Sequence, residues 1–240
     1  MRGLLLASLI VLGGCVLGGC VPVGVELPPA PELNNETDVP LVLVCVNRQG
    51  RTIFADGEPI PVRYTEDGPN FSPPLTWTAG PAATRQWAIL CEDVDAQPRP
   101  WVHWVIYNLP GEVRHLFEGV PSNVPDLWEP VGAFQGTNSW HEYNIGYYGP
   151  FPPVGGGVHR YRFTLYALDA PLDLPPGLSK SQLLDAMAGH VLTTAKLTGT
   201  FERPLDWRDP YNFSTPDSEA DPDPAEDAQL GPGPPEPAGE

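Results

Sequence analysis

Three stretches of the chain set chemically capable residues beside apolar runs. Ala88 to Gln97 reads AILCEDVDAQ, and a two-residue period puts Ile89, Cys91, Asp93 and Asp95 on one face. Trp101 to Pro110 reads WVHWVIYNLP, with His103 opening a strongly apolar strand. Gly149 to Tyr161, GPFPPVGGGVHRY, is a proline- and glycine-rich loop running into His159 and Tyr161. Singly, each has a plain structural reading: Asp-x-Asp at a strand end is often a turn, a lone strand histidine is more often a hydrogen-bonded structural residue, and a Gly-Pro run can be only a tight loop. Together, two imidazoles, a phenol and the backbone N–H groups of a glycine-rich loop supply donors for an anion. Asp93 would repel an anion directly and fits better holding a histidine in one tautomer or receiving an ammonium group. With both imidazoles titrating near ~6.5, affinity for an anion of fixed charge should fall as pH rises from roughly 5 to 8. Two Asp and two His could also hold a metal and activate water. Against that hydrolase reading, the chain has neither a His-Glu-x-x-His ligand spacing nor a Gly-x-Ser-x-Gly nucleophile elbow, and no metal or cofactor is expected.

The elements that must position these residues read as strands. LVLVCV (41–46), QWAILCED (86–93), HWVIYNL (103–109) and HRYRFTLYAL (159–168) are short runs rich in β-branched and aromatic residues, bounded by turn formers. In the last, His159, Tyr161, Phe163 and Leu165 share one face, and Arg160, Arg162 and Thr164 the other. One helix stands out: Ser179 with Gln182 makes a capping box, and Leu183, Leu184, Met187, Ala188, Val191 and Leu192 form a stripe that reads as core. The expected fold is mostly β, an antiparallel sandwich with one or two peripheral helices.

Composition narrows the class of partner. The chain has 240 residues and a formal charge of −17, which argues against nucleic acid, because phosphate backbones need a lysine- and arginine-rich face. From Arg208 to Glu240 one basic residue stands against nine acidic ones, so nearly half of the net charge sits in a tail (208–240) too polar to bury a core and expected to be disordered. At the other end, Met1-Arg2, the apolar run Leu4 to Leu12 and two copies of Leu-Gly-Gly-Cys ending at Cys15 and Cys20 make a bacterial lipobox pattern, with Cys20 favoured for lipidation. An uncleaved span from Gly3 to Val25 is the alternative, opposed by Pro22 and the glycines beside the cysteines. The expected organisation is a signal over 1–20, a proline-rich tether over 21–40, a folded domain over 41–207 and the tail, held by a lipid anchor on the outer side of the cytoplasmic membrane or in the outer membrane. Cys45 and Cys91 would then be the cysteines of the mature chain, able to bridge in an oxidising compartment or to stay as buried thiols.

In order along the chain, several motifs resemble the phosphatidylethanolamine-binding protein family, also called the Raf kinase inhibitor protein family, in its bacterial branch. The family's Asp-Pro-Asp-Ala-Pro is met by Asp93-Val94-Asp95-Ala96-Gln97. Its His-Trp and Tyr-Asn-hydrophobic-Pro are met by His103-Trp104 and Tyr107-Asn108-Leu109-Pro110. Its Gly-Pro-x-Pro-Pro loop and His-Arg-Tyr strand are met by Gly149-Pro150-Phe151-Pro152-Pro153 and His159-Arg160-Tyr161. Ser72-Pro73-Pro74-Leu75-Thr76-Trp77 upstream and Gly189-His190-Val191-Leu192 with Leu197-Thr198-Gly199 downstream also agree. Both prolines of the Asp motif are replaced here, by Val94 and Gln97, and a common loop cysteine is Phe151. The resemblance implies a sandwich with a shallow anion pocket formed by Asp93, His103, Pro153, His159 and Tyr161, with Trp101 and Asp95 at its edge. The leading expectation is non-enzymatic binding of a small phosphate-like or zwitterionic head group. An inhibitor of an envelope peptidase or other hydrolase is the second reading.

Overall fold

The computed structural model describes residues 40–140 and 144–208. The expected signal with Cys15 and Cys20, the expected tether as far as residue 39 and the expected tail from residue 209 lie outside the described residues. Nine strands and one helix follow in order: β1 Leu43–Val46, β2 Thr52–Phe54, β3 Leu75–Trp77, β4 Gln86–Asp93, β5 Trp101–Pro110, β6 His115–Leu116, β7 Phe134–Gln135, β8 His159–Leu168, α1 Lys180–Met187 and β9 Val191–Phe201. They form a four-stranded sheet, β2-β1-β3-β6, and a five-stranded sheet, β7-β5-β4-β8-β9. Every pairing between these strands is antiparallel. No helix of the described residues is long and apolar enough to cross a membrane.

Two cores explain the burial pattern. Leu43, Cys45, Leu75 and Trp77 of the smaller sheet meet Ile89, Trp104, Phe163 and Leu197 of the larger in one cluster, so one face of each sheet is dry. The other face of the larger sheet is covered by α1: Ala88, Leu90, Val105 and Tyr107 pack against Leu183 and Met187. A central strand roofed on both sides loses its alternation, and β4 is buried at seven of its eight positions. At β9 the close approach of the sheets demands a glycine: a Cβ on Gly199 would strike Ile60 and Phe54.

The capping box is present, with the Ser179 side chain accepting from Gln182 N–H and the Gln182 side chain accepting from Ser179 N–H. The expected helical stripe is nonetheless too long. The helix ends at Met187, Ala188 is its exposed C-cap, and Gly189 turns the chain at φ +83°. Val191 and Leu192 instead open β9, where they are exposed. Their apolar spacing suits a helix, but the left-handed turn at Gly189 ends it first. Cys45 and Cys91 stand on β1 and β4 as free, buried thiols, which settles the open choice against a bridge. Burial pushes the Cys45 thiol up to about 12 and the Cys91 thiol well above its usual range.

Candidate ligand-binding site

Strand register, more than any loop, gathers the chemically capable residues. Asp93, the last residue of β4, lies opposite Trp101 on β5 and Tyr161 on β8. His159 opens β8 two residues before Tyr161 and so shares its face. His103 arrives by an irregularity. Cys91 pairs with Trp104 and Glu92 with Val102, leaving His103 as the extra residue of a β-bulge. A bulge re-aims side chains, and here His103 and Trp104 are both buried although they are neighbours in a strand.

The first pair is His159 Nδ1 with Asp93 Oδ2, at 2.7 Å. The other oxygen of Asp93 accepts the backbone N–H groups of Asp95 and Ala96 at 2.9 and 3.1 Å. Three donors therefore orient one buried carboxylate, and the β4 terminus is also an Asx-type turn, as its plain reading anticipated. Asp95 does not share the site face with Asp93. It sits past the strand end, where its carboxylate accepts from the backbone N–H, Nε and Nη2 of Arg160 on the opposite face of β8. The Arg160 guanidinium holds its carboxyl below the usual range. Asp95 thus braces the turn that feeds Asp93.

His103 is 2 % exposed, with Nδ1 2.6 Å from the Tyr148 carbonyl. Only a protonated Nδ1 can donate to that oxygen, so the neutral ring presents Nε2 as an acceptor. Burial lowers its pKa from 6.5 to about 4. The expectation that both imidazoles charge between pH 5 and 8 is therefore corrected: desolvation keeps His103 neutral there. Around it the rings interlock edge to face, Trp140 at 4.7 Å and Tyr161 at 5.0 Å between centroids. Trp140 continues to Trp101 at 5.4 Å and to Tyr148 at 4.4 Å, and Trp101 is partly exposed at the rim.

Tyr161 completes the cluster. Its residue is 1 % exposed, yet its hydroxyl has no hydrogen-bond partner among the described residues. Burial, the nearby Asp93 charge and the approach of the hydroxyl to the Asp93 carboxylate push its pKa up, so the hydroxyl stays protonated and a donor. Pro153 is exposed, and its carbonyl closes a turn by accepting Gly156 N–H at 2.9 Å. The loop's tie to the site comes earlier. Gly149 N–H donates to Asn70 Oδ1 at 2.7 Å, Asn70 donates to Glu66 at 2.8 Å, and a Cβ on Gly149 would strike the Tyr64 carbonyl. That glycine lets the chain seat the Tyr148 carbonyl against His103. Further on, Arg203 stacks over Phe151 at 4.1 Å and pairs with buried Asp67 at 2.9 Å.

The structure therefore brings together Asp93, His103, His159 and Tyr161, with Trp101 at the rim, while Asp95 pairs with Arg160 and Pro153 is an exposed loop residue. Trp140 and Tyr148 are members that residue-type reasoning missed. The Tyr-Tyr pair directly before the Gly-Pro loop was the available signal. Concavities of about 450, 590 and 770 Å³ are lined by other parts of the fold, with only Tyr148 in common. Among the described residues no group of three or more His, Cys, Asp or Glu is arranged to hold a metal.

Comparison with known proteins adds an independent line. Residues 50–202 match the family model described as phosphatidylethanolamine-binding protein. A protein of Methanothermobacter thermautotrophicus named UPF0098 is 49% identical over 151 residues, 62% of this chain and 95% of that one. A Mycobacterium tuberculosis protein named as lipoprotein LppC is 40% identical over 151 residues, 62% of this chain and 69% of its own. Among solved structures, the phosphatidylethanolamine-binding protein homologue CT736 of Chlamydia trachomatis superposes with a TM-score of 0.56 at 36% identity, covering 68% of this chain and 98% of its own. YbcL of E. coli gives 0.59 at 25%, with the same coverage.

Proposed function

The chain belongs to the phosphatidylethanolamine-binding protein family, and from that premise we propose that it binds a small phosphate-bearing head group, without transforming it, at the Asp93, His103, His159 and Tyr161 cluster. The observation that carries this reading is the Tyr161 hydroxyl, a buried donor beside Asp93 that makes no hydrogen bond of ordinary geometry among the described residues. Buried donors are rarely left unpaired, and an unmade bond costs roughly 1–3 kcal/mol, so the hydroxyl fits best as a contact completed by a ligand.

The hydrogen-bond partners of the two rings support this reading. Neutral His103 offers Nε2 as an acceptor, and His159, with Nδ1–H given to Asp93, offers a donor at Nε2 only when protonated. A phosphate monoanion can satisfy all three groups: its P–OH donates to His103, while its bare oxygens accept from Tyr161 and from a His159 ring that carries a proton on both nitrogens. An ethanolamine ammonium on the same ligand would be drawn toward Asp93 and the ring faces of the Trp101–Trp140 rim. The Leu-Gly-Gly-Cys pattern and the likeness to a protein named as a lipoprotein support placing the chain in the cell envelope on a lipid anchor. Titration calorimetry tests the binding. Phosphoethanolamine should bind the full chain, and His159→Ala should weaken it by about 1.5–3 kcal/mol, the worth of one charge-assisted bond. Unaltered binding in that variant would remove the assignment.

A further inference from the structure

A second surface, sharing no residue with the ring cluster, lies along the free edge of β6. Leu75 pairs with Leu116 and Thr76 with His115, and Trp77 N–H donates to the Arg114 carbonyl at 2.9 Å. In an antiparallel ladder this phase turns the backbone groups of Arg114 and Leu116 toward β3 and those of His115 and Phe117 outward. Among the described residues nothing hydrogen-bonds the outward groups. Sheet edges are usually blunted by a covering loop or strand. Here the edge runs instead along a cavity of about 590 Å³, lined by Arg48, residues 112–121 and residues 128–130, with Glu112 and Glu129 at the side away from Arg48's junction with the neighbouring cavity. A neighbouring cavity of about 770 Å³, bounded by Val46–Gly50, shares Arg48 and residues 115–118 with it. Large apolar side chains stand open around the groove: Trp128 is 67 % exposed and Phe117 37 %.

The charge at the groove is lopsided where the two cavities meet. Arg48 lies over the Phe117 ring at 4.0 Å, and no carboxylate of the described residues forms an ion pair with it. Glu118, the acid lining both cavities, is taken by Arg63 at 2.6 Å and by the Tyr64 hydroxyl at 2.8 Å. An apolar trough with unpaired backbone donors and acceptors along one side and a free guanidinium at one end matches an extended peptide. We infer that the β6 groove docks an extended segment of another protein, which adds a strand to the four-stranded sheet, is apolar at alternate positions and sets an acidic side chain over Arg48. Main-chain bonds to His115 and Phe117 fix its register. Alternate side chains fill the wall formed by Trp128 and Val120, and Arg48 selects the orientation.

Affinity selection from a synthetic pool of acetylated, amidated heptapeptides, applied to the full chain, tests this. Enriched peptides should be apolar at every second position and carry Asp or Glu near one end. In the best of them, N-methylation of the amides facing β6 should weaken binding at least tenfold, and methylation of the intervening amides should not. Arg48→Glu, at an exposed loop position, should turn the terminal preference to Lys or Arg, with an unchanged melting curve as the folding control. His159→Ala should leave the selection intact. No enrichment over an unrelated β-sandwich, enrichment insensitive to N-methylation, or loss on His159→Ala would each overturn the assignment.

Discussion

Tyr161→Phe should separate binding from folding. The change deletes one oxygen and leaves the ring that packs on His103 at 5.0 Å. Because the hydroxyl makes no hydrogen bond of ordinary geometry among the described residues and meets only the nearby Asp93 carboxylate, its removal withdraws a desolvated polar group at little cost to the fold. Folding stability should be unchanged or higher by up to ~1 kcal/mol, the lower end of the cost of an unsatisfied buried group. Binding should respond the other way. A bond from this hydroxyl to a phosphate oxygen is one to a charged group, worth about 1.5–3 kcal/mol, or roughly ten- to a hundredfold in affinity. Urea unfolding without ligand, followed by calorimetry with phosphoethanolamine, reads both quantities on one preparation. A loss of more than about 1 kcal/mol in stability with affinity unchanged would mean that the hydroxyl has a structural partner, and the reasoning from its isolation would fail.

Two other expectations follow from buried groups. His103 titrates near 4 when folded and near 6.5 when unfolded, so between those values the unfolded chain binds more protons. Stability should therefore fall as pH drops from about 6.5 to 4, by roughly 3 kcal/mol at ~1.4 kcal/mol per unit. His103→Gln should flatten that limb of the urea-midpoint profile, and a limb of equal depth in the variant would assign it to other groups. Cys45 and Cys91 are buried and their thiols are held protonated, so iodoacetamide should leave both unmodified in the native chain and alkylate both in denaturant without reductant. Peptide mapping that finds them blocked until reduction would reveal a bridge.

Much of the fold was legible because its strands carry their own signals. QWAILCED and HRYRFTLYAL match β4 and β8 end to end, and the His159, Tyr161, Phe163 and Leu165 face is the one turned to the inter-sheet core. The helix was overextended because Val191 and Leu192 continue its apolar spacing, while a left-handed glycine two residues earlier had already turned the chain. The site was partly legible. Asp93 and His159 form the pair that a tautomer-fixing carboxylate suggests. Asp95 was misplaced because period-2 reasoning was carried past the strand end into a turn. The neutral state of His103 comes from its burial, reached through a bulge in β5, and its tautomer from the Tyr148 carbonyl 45 residues away, long-range facts that no local pattern encodes.

The central claim is that the cluster holds a phosphate-bearing head group, and a crystal of the protein soaked in phosphoethanolamine tests it most directly. The expected result is phosphorus density at the cluster, with ligand oxygens within hydrogen-bond range, about 2.5–3.2 Å, of Tyr161 Oη and His159 Nε2, and the ammonium on the Asp93 and Trp101 side. Density at another surface, with the cluster unchanged at saturating ligand, would contradict it.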